Sequence, residues 1–486
     1  DIFLKSFFLS NKMEEYKIKF IDFLLKTGAL KVFDNPSDDR ILKSKRISPW
    51  FVNIGDFNDG ESSNALAGFY ADAVINSRVE ANVLYGIPDK GVGLAAPIAM
   101  AMALKGHNVG WFFSRKDEKT HGEATNLGPE DRIKKLTVGK PPKVDDAIVQ
   151  LDDVFTAGDA KYEANTFLKS LGRANLPLLA IAVDRQEVAI DSREAIAEYQ
   201  EKTGTKVVSV VNAIDIYNVL KEGNLASKKA LERLANYIRV YGTKDARASI
   251  EKGLEQKVIG RDRSVIPACD IPLEKFEELV KQTADVDEIG GYKIPATAGR
   301  KGWERWVEAA RKHTNKPLIY DHQKAGTDIP DTGKDFMKEL KESGMDAVIL
   351  FPQAGPETER AWIFHALDNG LKVIVGGRMT HPAYAVSEGG FITDEGALEM
   401  YRIAARAGIN NFVVPGNKPD VIKQIRDVVE AEKVSPIFYA PGFIAQGGKI
   451  EEAAKVAGDR FHGIVGRGIY QAEDMHAAAV EHTSQL

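Results

Sequence analysis

The sequence predicts an α/β chain in two parts, a mostly parallel sheet followed by eight strand–helix repeats. Three observations point there. Short apolar runs of strand character alternate with helical patterns along most of the chain, the rhythm of parallel βα units. A charged helical stretch over about 221–258 (SKKALERLANYIRV, then DARASIEKGLEQK) interrupts that rhythm once. And 486 residues exceed what one ordinary core organises, so the interruption reads as a helical connector between domains at 1–220 and 259–486.

In the first part, NVLYG (82–86) reads as a strand ending in glycine, followed by the small-residue helix of GVGLAAPIAMAMAL. VGWFF (109–113) is a second strand, AIVQLDDV (147–154) a buried third leading into the helix of AKYEANTFLKSLG, and PLLAIAV (177–183) a fourth. Ligands of such a sheet sit beyond the carboxyl ends of its strands. In the second part the candidates are VIPAC (265–269), IGGYKI (289–294), PLIYD (317–321), AVILF (347–351), KVIVG (372–376), NFVVP (411–415), PIFYA (436–440) and GIVG (463–466), separated by amphipathic helices. That count and size suit a (β/α)8 barrel, and a doubly wound open sheet fits the same periodicity.

Composition narrows the function classes. With 44% hydrophobic and 28% charged residues the chain is typical of a soluble globular protein, and no apolar run approaches the ~20 residues of a membrane span. The opening DIFLKSFFLS carries an early Asp and no basic leader, which argues against a secretory signal. Cys269 is the sole cysteine, which excludes an internal disulfide framework and a cysteine-based zinc site and fits a reducing cytoplasm. His121, His313, His322, His365 and His462 show no metal spacing. A net charge of −5 offers no basic field for nucleic acid, so an anionic substrate must be gripped by local Lys, Arg and backbone N–H groups.

One such grip is LDDVFTAGDA, where a strand ends and a helix begins. Asp152 and Asp153 stand where they can hold ribose hydroxyls or a metal carried on them, while Thr156, Ala157, Gly158, Asp159 and Ala160 can turn N–H groups toward an anion at a helix N-terminus. Asp159 adds negative charge beside that anion and is read instead as a helix cap. An acidic pair before a glycine turn also occurs as plain capping, so context decides. This strand–DD–TAG string resembles the type I phosphoribosyltransferases, which bind 5-phosphoribosyl pyrophosphate (PRPP) there. Further strings resemble the orotate branch of that family: ILKSKRISPWFVNIGDF (41–57) as its N-terminal hood, GIPDKG, FSRKDEKTHGE and VDRQE. The resemblance implies that Lys43 and Lys90 reach pyrophosphate and that Arg115, Lys116, Lys119 and His121 ride a closing catalytic loop. It further implies that Arg185 with Thr156 contacts orotate, that Mg2+ arrives with PRPP, and that the enzyme is a homodimer sharing its loop. The ending GEATNLG departs from the family's GEGG-type loop.

The second unusual string is YDHQKAGTDIPDTG (320–333) at the third predicted strand end of the second part. Asp321, Lys324 and Asp328 crowd together there, and Lys293 at the end of the preceding strand can face the same mouth. Alternating carboxylates keep a lysine protonated and aimed, and they disfavour a substrate carboxylate until it leaves as CO2. A solvated ion-pair network on a βα loop is the bland alternative. Further strings over 260–470 resemble the orotidine-5′-phosphate decarboxylase barrel: PACDIP, DIPDT, RMTHP, APGFIAQGG and IVGRGIY. The resemblance implies ribose contacts from Asp270 and Thr332, an Asp328 that reaches across a dimer, Thr380 against the pyrimidine, and a phosphate grip from Gln446, Gly466 and Arg467. It implies no cofactor for decarboxylation. The spacing D-x-x-K-x-x-x-D departs from the family's D-x-K-x-x-D, and residues three apart do not share a strand face.

Together these resemblances imply orotate and PRPP as substrates, orotidine 5′-phosphate (OMP) as the intermediate, and pyrimidine biosynthesis as the function. Two other readings fit less well. The barrel of another phosphorylated-substrate decarboxylase or aldolase would lack reason for the RMTHP, APGFIAQGG and IVGRGIY set, and a nucleotide-sensing regulator would lack reason for the basic loop.

Overall fold

The computed structural model describes residues 13–115, 129–155, 158–250, 257–322, 327–443 and 448–486. The chain divides into two compact units, Asp1–Ile238 and Arg239–Leu486.

In the first unit, six strands form one sheet: β1 (Val83–Gly86), β2 (Gly110–Ser114), β3 (Thr137–Gly139), β4 (Ile148–Leu151), β5 (Leu178–Asp184) and β6 (Lys206–Asn212). Their order is β6-β5-β4-β1-β2-β3, parallel throughout except for the antiparallel edge pair β2–β3. The strands β1 and β4 are buried along their whole length because helices cover both faces of such a sheet, and Gln150 is the one polar residue of β4. The sequence reading omits β6 (KVVSVVN), although its β-branched run is typical of a strand, and omits the edge strand β3. Ahead of the sheet, short antiparallel pairs join Leu30–Val32 to Trp50–Val52 and Arg40–Ile41 to Ile47–Ser48. Within the stretch 221–258, helix Lys228–Tyr241 is bonded to this N-terminal region. Arg233 donates to Asp39 (2.8 Å) and to the Phe33 carbonyl (2.7 Å).

The second unit holds β7 (Arg263–Pro267), β8 (Tyr292–Pro295), β9 (Leu318–Asp321), β10 (Ala347–Leu350), β11 (Lys372–Gly376), β12 (Asn411–Val413), β13 (Ile437–Ala440) and β14 (Phe461–Val465). Each pairs in parallel with the next from β8 to β14, and β14 pairs with β7. Bridges Val265↔Ile289 and Ala268↔Lys293 bring β7 against the segment entering β8, which all but closes the ring. The open-sheet alternative is thereby excluded. Ile266, Ile319, Ile349, Ile374, Val413, Tyr439 and Ile464 fill the barrel, and where one strand end gives more than one core residue, as with Ala347, Ile349 and Phe351 or Ile437 and Tyr439, they lie two apart, as a period of two demands. Outside, Trp306 packs on Phe276 (centroids 4.8 Å) and Trp303 edge-on to Tyr320 and Phe336.

At the amino-terminal end of the interior, His462 Nδ1 and Ser264 Oγ lie 2.8 Å apart across the β7–β14 pair, beside the Tyr439 ring. Burial pushes this imidazole from its ordinary 6.5 down to about 3. An unfolded chain takes up that proton near 6.5 whereas the folded barrel refuses it. The contribution is therefore complete above 6.5 and is lost as pH falls toward 3, by at most about 1.4 kcal/mol per pH unit. Urea unfolding followed from about pH 7 to about pH 4 is expected to show a shallower loss for His462→Gln than for the parent. Equal slopes contradict this assignment.

Candidate active sites

The first site begins where β4 ends. Asp152 N bonds the Ala180 carbonyl of β5 (3.1 Å), and Tyr70 donates its hydroxyl to the Asp152 carbonyl (2.7 Å), so the backbone is fixed before the loop departs. The next N–H groups fold back onto the acidic pair: Asp153 N to Asp152 Oδ1 (2.9 Å) and Val154 N to Asp153 Oδ1 (2.8 Å). Each carboxylate also meets an ammonium. Asp152 pairs with Lys161, both buried, and Asp153 pairs with Lys90 at 2.5 Å. Burial pushes the Asp152 carboxyl above its ordinary value even against the Lys161 charge.

Glycines bring Lys90 there. A Cβ on Gly91 would lie 2.1 Å from the Leu151 carbonyl oxygen, and one on Gly86 would lie 2.4 Å from the Gly91 oxygen. Only bare backbone lets the GIPDKG loop lie so close to the end of β4. Gly158 adopts φ +89° and is the N-cap of helix Asp159–Ser170; a side chain there would strike the Phe155 ring. The cap reading of Asp159 is corrected: it is the first helical residue, and its side chain is exposed. Lys161, three residues beyond Gly158, is the residue that sequence reasoning missed. In a helical pattern a lysine looks like part of a solvated face, and its position in the first turn of the helix that follows the acidic pair is the signal that could have found it.

Arg185 follows β5. Its guanidinium stacks 3.9 Å from the Trp50 ring centroid, its Nε donates to Glu187 (2.7 Å) and an Nη donates to Ser48 Oγ (3.0 Å). Lys43 is exposed in the turn between the Arg40–Ile41 and Ile47–Ser48 strands, and Arg115 is exposed just past β2. Lys116, Lys119, His121, Thr156 and Ala157 lie outside the described residues.

The second site stands at the carboxyl rim of the barrel. Lys293 pairs in register with Ile319, and Asp321 lies two residues further along that same interior face. The Lys293 ammonium therefore reaches diagonally to the Asp321 carboxylate, with which it forms a fully buried ion pair, and its other side faces Asp270 at 3.9 Å. Burial alone would lower the lysine pKa, but the two carboxylates outweigh it and hold the ammonium above its ordinary range. Asp270 and Lys293 line a cavity of about 390 Å3 together with Arg378, Thr380, Gly466 and Arg467.

The remaining candidates spread more widely. Asp328 is exposed and accepts the N–H of Ile329 (2.7 Å), while Thr332 opens helix Thr332–Glu342 and donates to the Ile329 carbonyl (2.8 Å). Lys324 and Gln446 lie outside the described residues. Arg378 was not singled out from the sequence, because one arginine before a Met-Thr-His turn carries no pattern. It is buried and bonded to Asp394 (2.5 Å). Among the described residues no group of three or more His, Cys, Asp or Glu could hold a metal ion, and no helix is long and apolar enough to cross a membrane.

Known proteins resemble each half. The orotate phosphoribosyltransferase of Ruthia magnifica is 35% identical over 231 residues, which is 47% of this chain and all of that protein. The chain belongs to the orotate phosphoribosyltransferase family. The Alteromonas mediterranea enzyme is 37% identical over 212 residues, covering 43% of this chain and 91% of its own length. Residues 264–481 match the orotidine 5′-phosphate decarboxylase / HUMPS family model. Solved structures that align include a Francisella tularensis orotate phosphoribosyltransferase (31% identity, 46% of this chain and 100% of that one, TM-score 0.39). The chain thus joins an orotate phosphoribosyltransferase to an orotidine 5′-phosphate decarboxylase domain, and its function is pyrimidine biosynthesis.

The Lys293–Asp321 pair makes a stability prediction. Lys293→Met leaves the Asp321 carboxylate buried without its ammonium and is expected to cost about 3–5 kcal/mol in urea unfolding of the barrel. Lys293→Met with Asp321→Asn is expected to regain more than half of that. A double variant as unstable as the single one contradicts the pairing.

Proposed function

We propose that the first unit joins orotate to PRPP, giving OMP and pyrophosphate, and that the barrel removes CO2 from that OMP to give UMP. The observation that carries this reading is a buried ammonium held between two carboxylates at the wall of a nucleotide-sized cavity, in the same chain as a transferase whose product fills that role.

In the transferase step the bond from the anomeric carbon to pyrophosphate breaks while a ring nitrogen of orotate bonds to that carbon. Positive charge grows on the sugar and negative charge on the leaving oxygens. Asp152 and Asp153 hold the ribose hydroxyls, the N–H groups around Thr156, Ala157 and Gly158 hold the 5′-phosphate, and Arg185 grips orotate. Lys43, Lys90, Arg115, Lys116, Lys119 and His121 meet the pyrophosphate charge, with Lys119 as the catalytic residue. Mg2+ carried by PRPP would lie near Asp152 and Asp153, and when bound it would supply charge neutralisation for the leaving pyrophosphate.

In the decarboxylase step the bond from the pyrimidine ring to its carboxylate breaks, CO2 departs, and the electron pair left on carbon takes a proton. We assign that proton to Lys324, with Lys293, Asp321 and Asp328 completing the charge array. Asp270 and Thr332 hold ribose, Thr380 faces the base, and Gln446, Gly466 and Arg467 hold phosphate, where an arginine suits a dianion. No cofactor is needed. We further assign the enzyme to the cytoplasm as a homodimer, with Asp328 and the transferase loop lent between subunits.

The test follows orotate loss and CO2 release separately. Lys119→Ala is expected to slow orotate consumption by about 10²-fold or more and still decarboxylate added OMP. Lys324→Ala is expected to consume orotate normally and accumulate OMP. CO2 release at the parent rate by Lys324→Ala would falsify the second-site assignment. Parent-rate orotate consumption after replacing Asp152 and Asp153 by Asn together would remove the first.

A further inference from the structure

The turn that follows the sixth barrel strand, Pro415–Lys418, has no part in the roles assigned above, yet it touches the loops on both sides of the cavity. Its side chains hold consecutive carbonyls of the neighbouring loop. Asn417 donates from Nδ2 to the Thr380 carbonyl (3.0 Å), and Lys418 donates from Nζ to the His381 carbonyl (3.4 Å). Lys418 also pairs with Glu388 (2.6 Å), which belongs to the same Thr380 loop, and Arg378 at the base of that loop reaches Glu388 (3.5 Å) and Asp394 (2.5 Å). Ser387 closes the set by donating to Asp394 (2.7 Å). Two cations and two carboxylates therefore fix the loop from its start at Arg378 to its end at Asp394.

On its other side the turn is wedged under the loop after β13. Gly416 N bonds the Pro441 carbonyl (2.8 Å), and a Cβ on Gly416 would strike the Phe443 ring at 2.5 Å. A Cβ on Gly448 would lie 3.1 Å from Asn417 Cα. Thr380, Pro441, Gly442 and Phe443 all line the same cavity. The Asn417 Oδ1 atom is buried and makes no hydrogen bond among the described residues. An amide kept in that state, with its donor spent on the Thr380 backbone, is held there by position and not by the satisfaction of its own groups.

We infer that Asn417 and Lys418 are positioning residues of the decarboxylase: they set the Thr380 loop against the base and register it with the loop after β13. The inference rests on the reading above that Thr380 faces the pyrimidine. Losing one such bond shifts only the part of the ligand that the loop meets. Binding of the base should weaken while binding of the sugar phosphate stays intact.

The experiment uses the full chain with added OMP and no PRPP, so that only the barrel turns over. It measures inhibition constants for UMP, which has a base, and for ribose 5-phosphate, which has none. Asn417→Ala and Lys418→Met are each expected to raise the UMP constant and the KM for OMP about five- to tenfold, the size of one lost hydrogen bond. The ribose 5-phosphate constant should stay within about twofold of the parent, and Lys418→Arg should restore UMP binding. Orotate consumption by the same samples checks that the chain is folded.

Thr380→Val separates the possible failures. If it raises the UMP constant selectively while Asn417→Ala and Lys418→Met do not, the positioning role is overturned and the base-side reading stands. If Thr380→Val leaves the UMP to ribose 5-phosphate ratio at the parent value, the base-side reading fails and takes the inference with it. Equal weakening of both ligands together with a lowered melting temperature shows a merely structural turn and also overturns it.

Discussion

A carboxylate buried at the end of a parallel strand stays charged only if a cation is delivered to it, and the sites of this chain follow from that requirement. In the barrel the cation comes from the adjacent strand. The register that sets Lys293 beside Ile319 leaves Asp321 on the same face and within reach of the ammonium. In the transferase unit the cations come from the elements on either side of the acidic pair. Lys161 stands on the helix that follows it, and Lys90 on a loop from the next strand over. Each array has groups fixed before any substrate enters, which is what electrostatic catalysis asks of a site.

That arrangement explains why the glycines matter where they do. Lys90 reaches Asp153 because Gly86 and Gly91 let two backbones approach more closely than any side chain permits. Gly158 turns the chain into the following helix at a φ that other residues adopt with strain. Strand ends supply rigid charge, and the loops between them supply shape. In the barrel the loops are in turn held by each other, as the bonds from Asn417 and Lys418 to the Thr380 loop show.

Much of this was legible in the sequence, for physical reasons. Buried parallel strands are mostly apolar, so β1, β4 and β11 stand out, and the acidic pair stands out because it ends such a run. Lys293 and Asp321 were candidates because each ends a strand. What the sequence could not show was register, and register makes Lys293 the buried partner of Asp321. That pairing does not depend on how the D-x-x-K spacing is accommodated. Arg378 and Asn417 were invisible for a related reason: each acts through a residue beyond its own turn, and locally each looks like an ordinary turn residue. Strand ends were off by one to three residues, as at β8, where IGGYKI begins early because glycines precede the first paired residue. Nor could periodicity distinguish a closed ring from an open sheet; the bridges from β7 to Ile289 and Lys293 decided that.

The two sites imply that one chain carries both reactions in sequence. The most direct measurement follows orotate labelled with ¹³C at its carboxyl group by NMR, with PRPP, Mg2+ and the parent chain. The label is expected to leave orotate and appear as CO2 and bicarbonate, one for each orotate consumed, with UMP as the nucleotide product. Label that moves from orotate into OMP and stays there would contradict it.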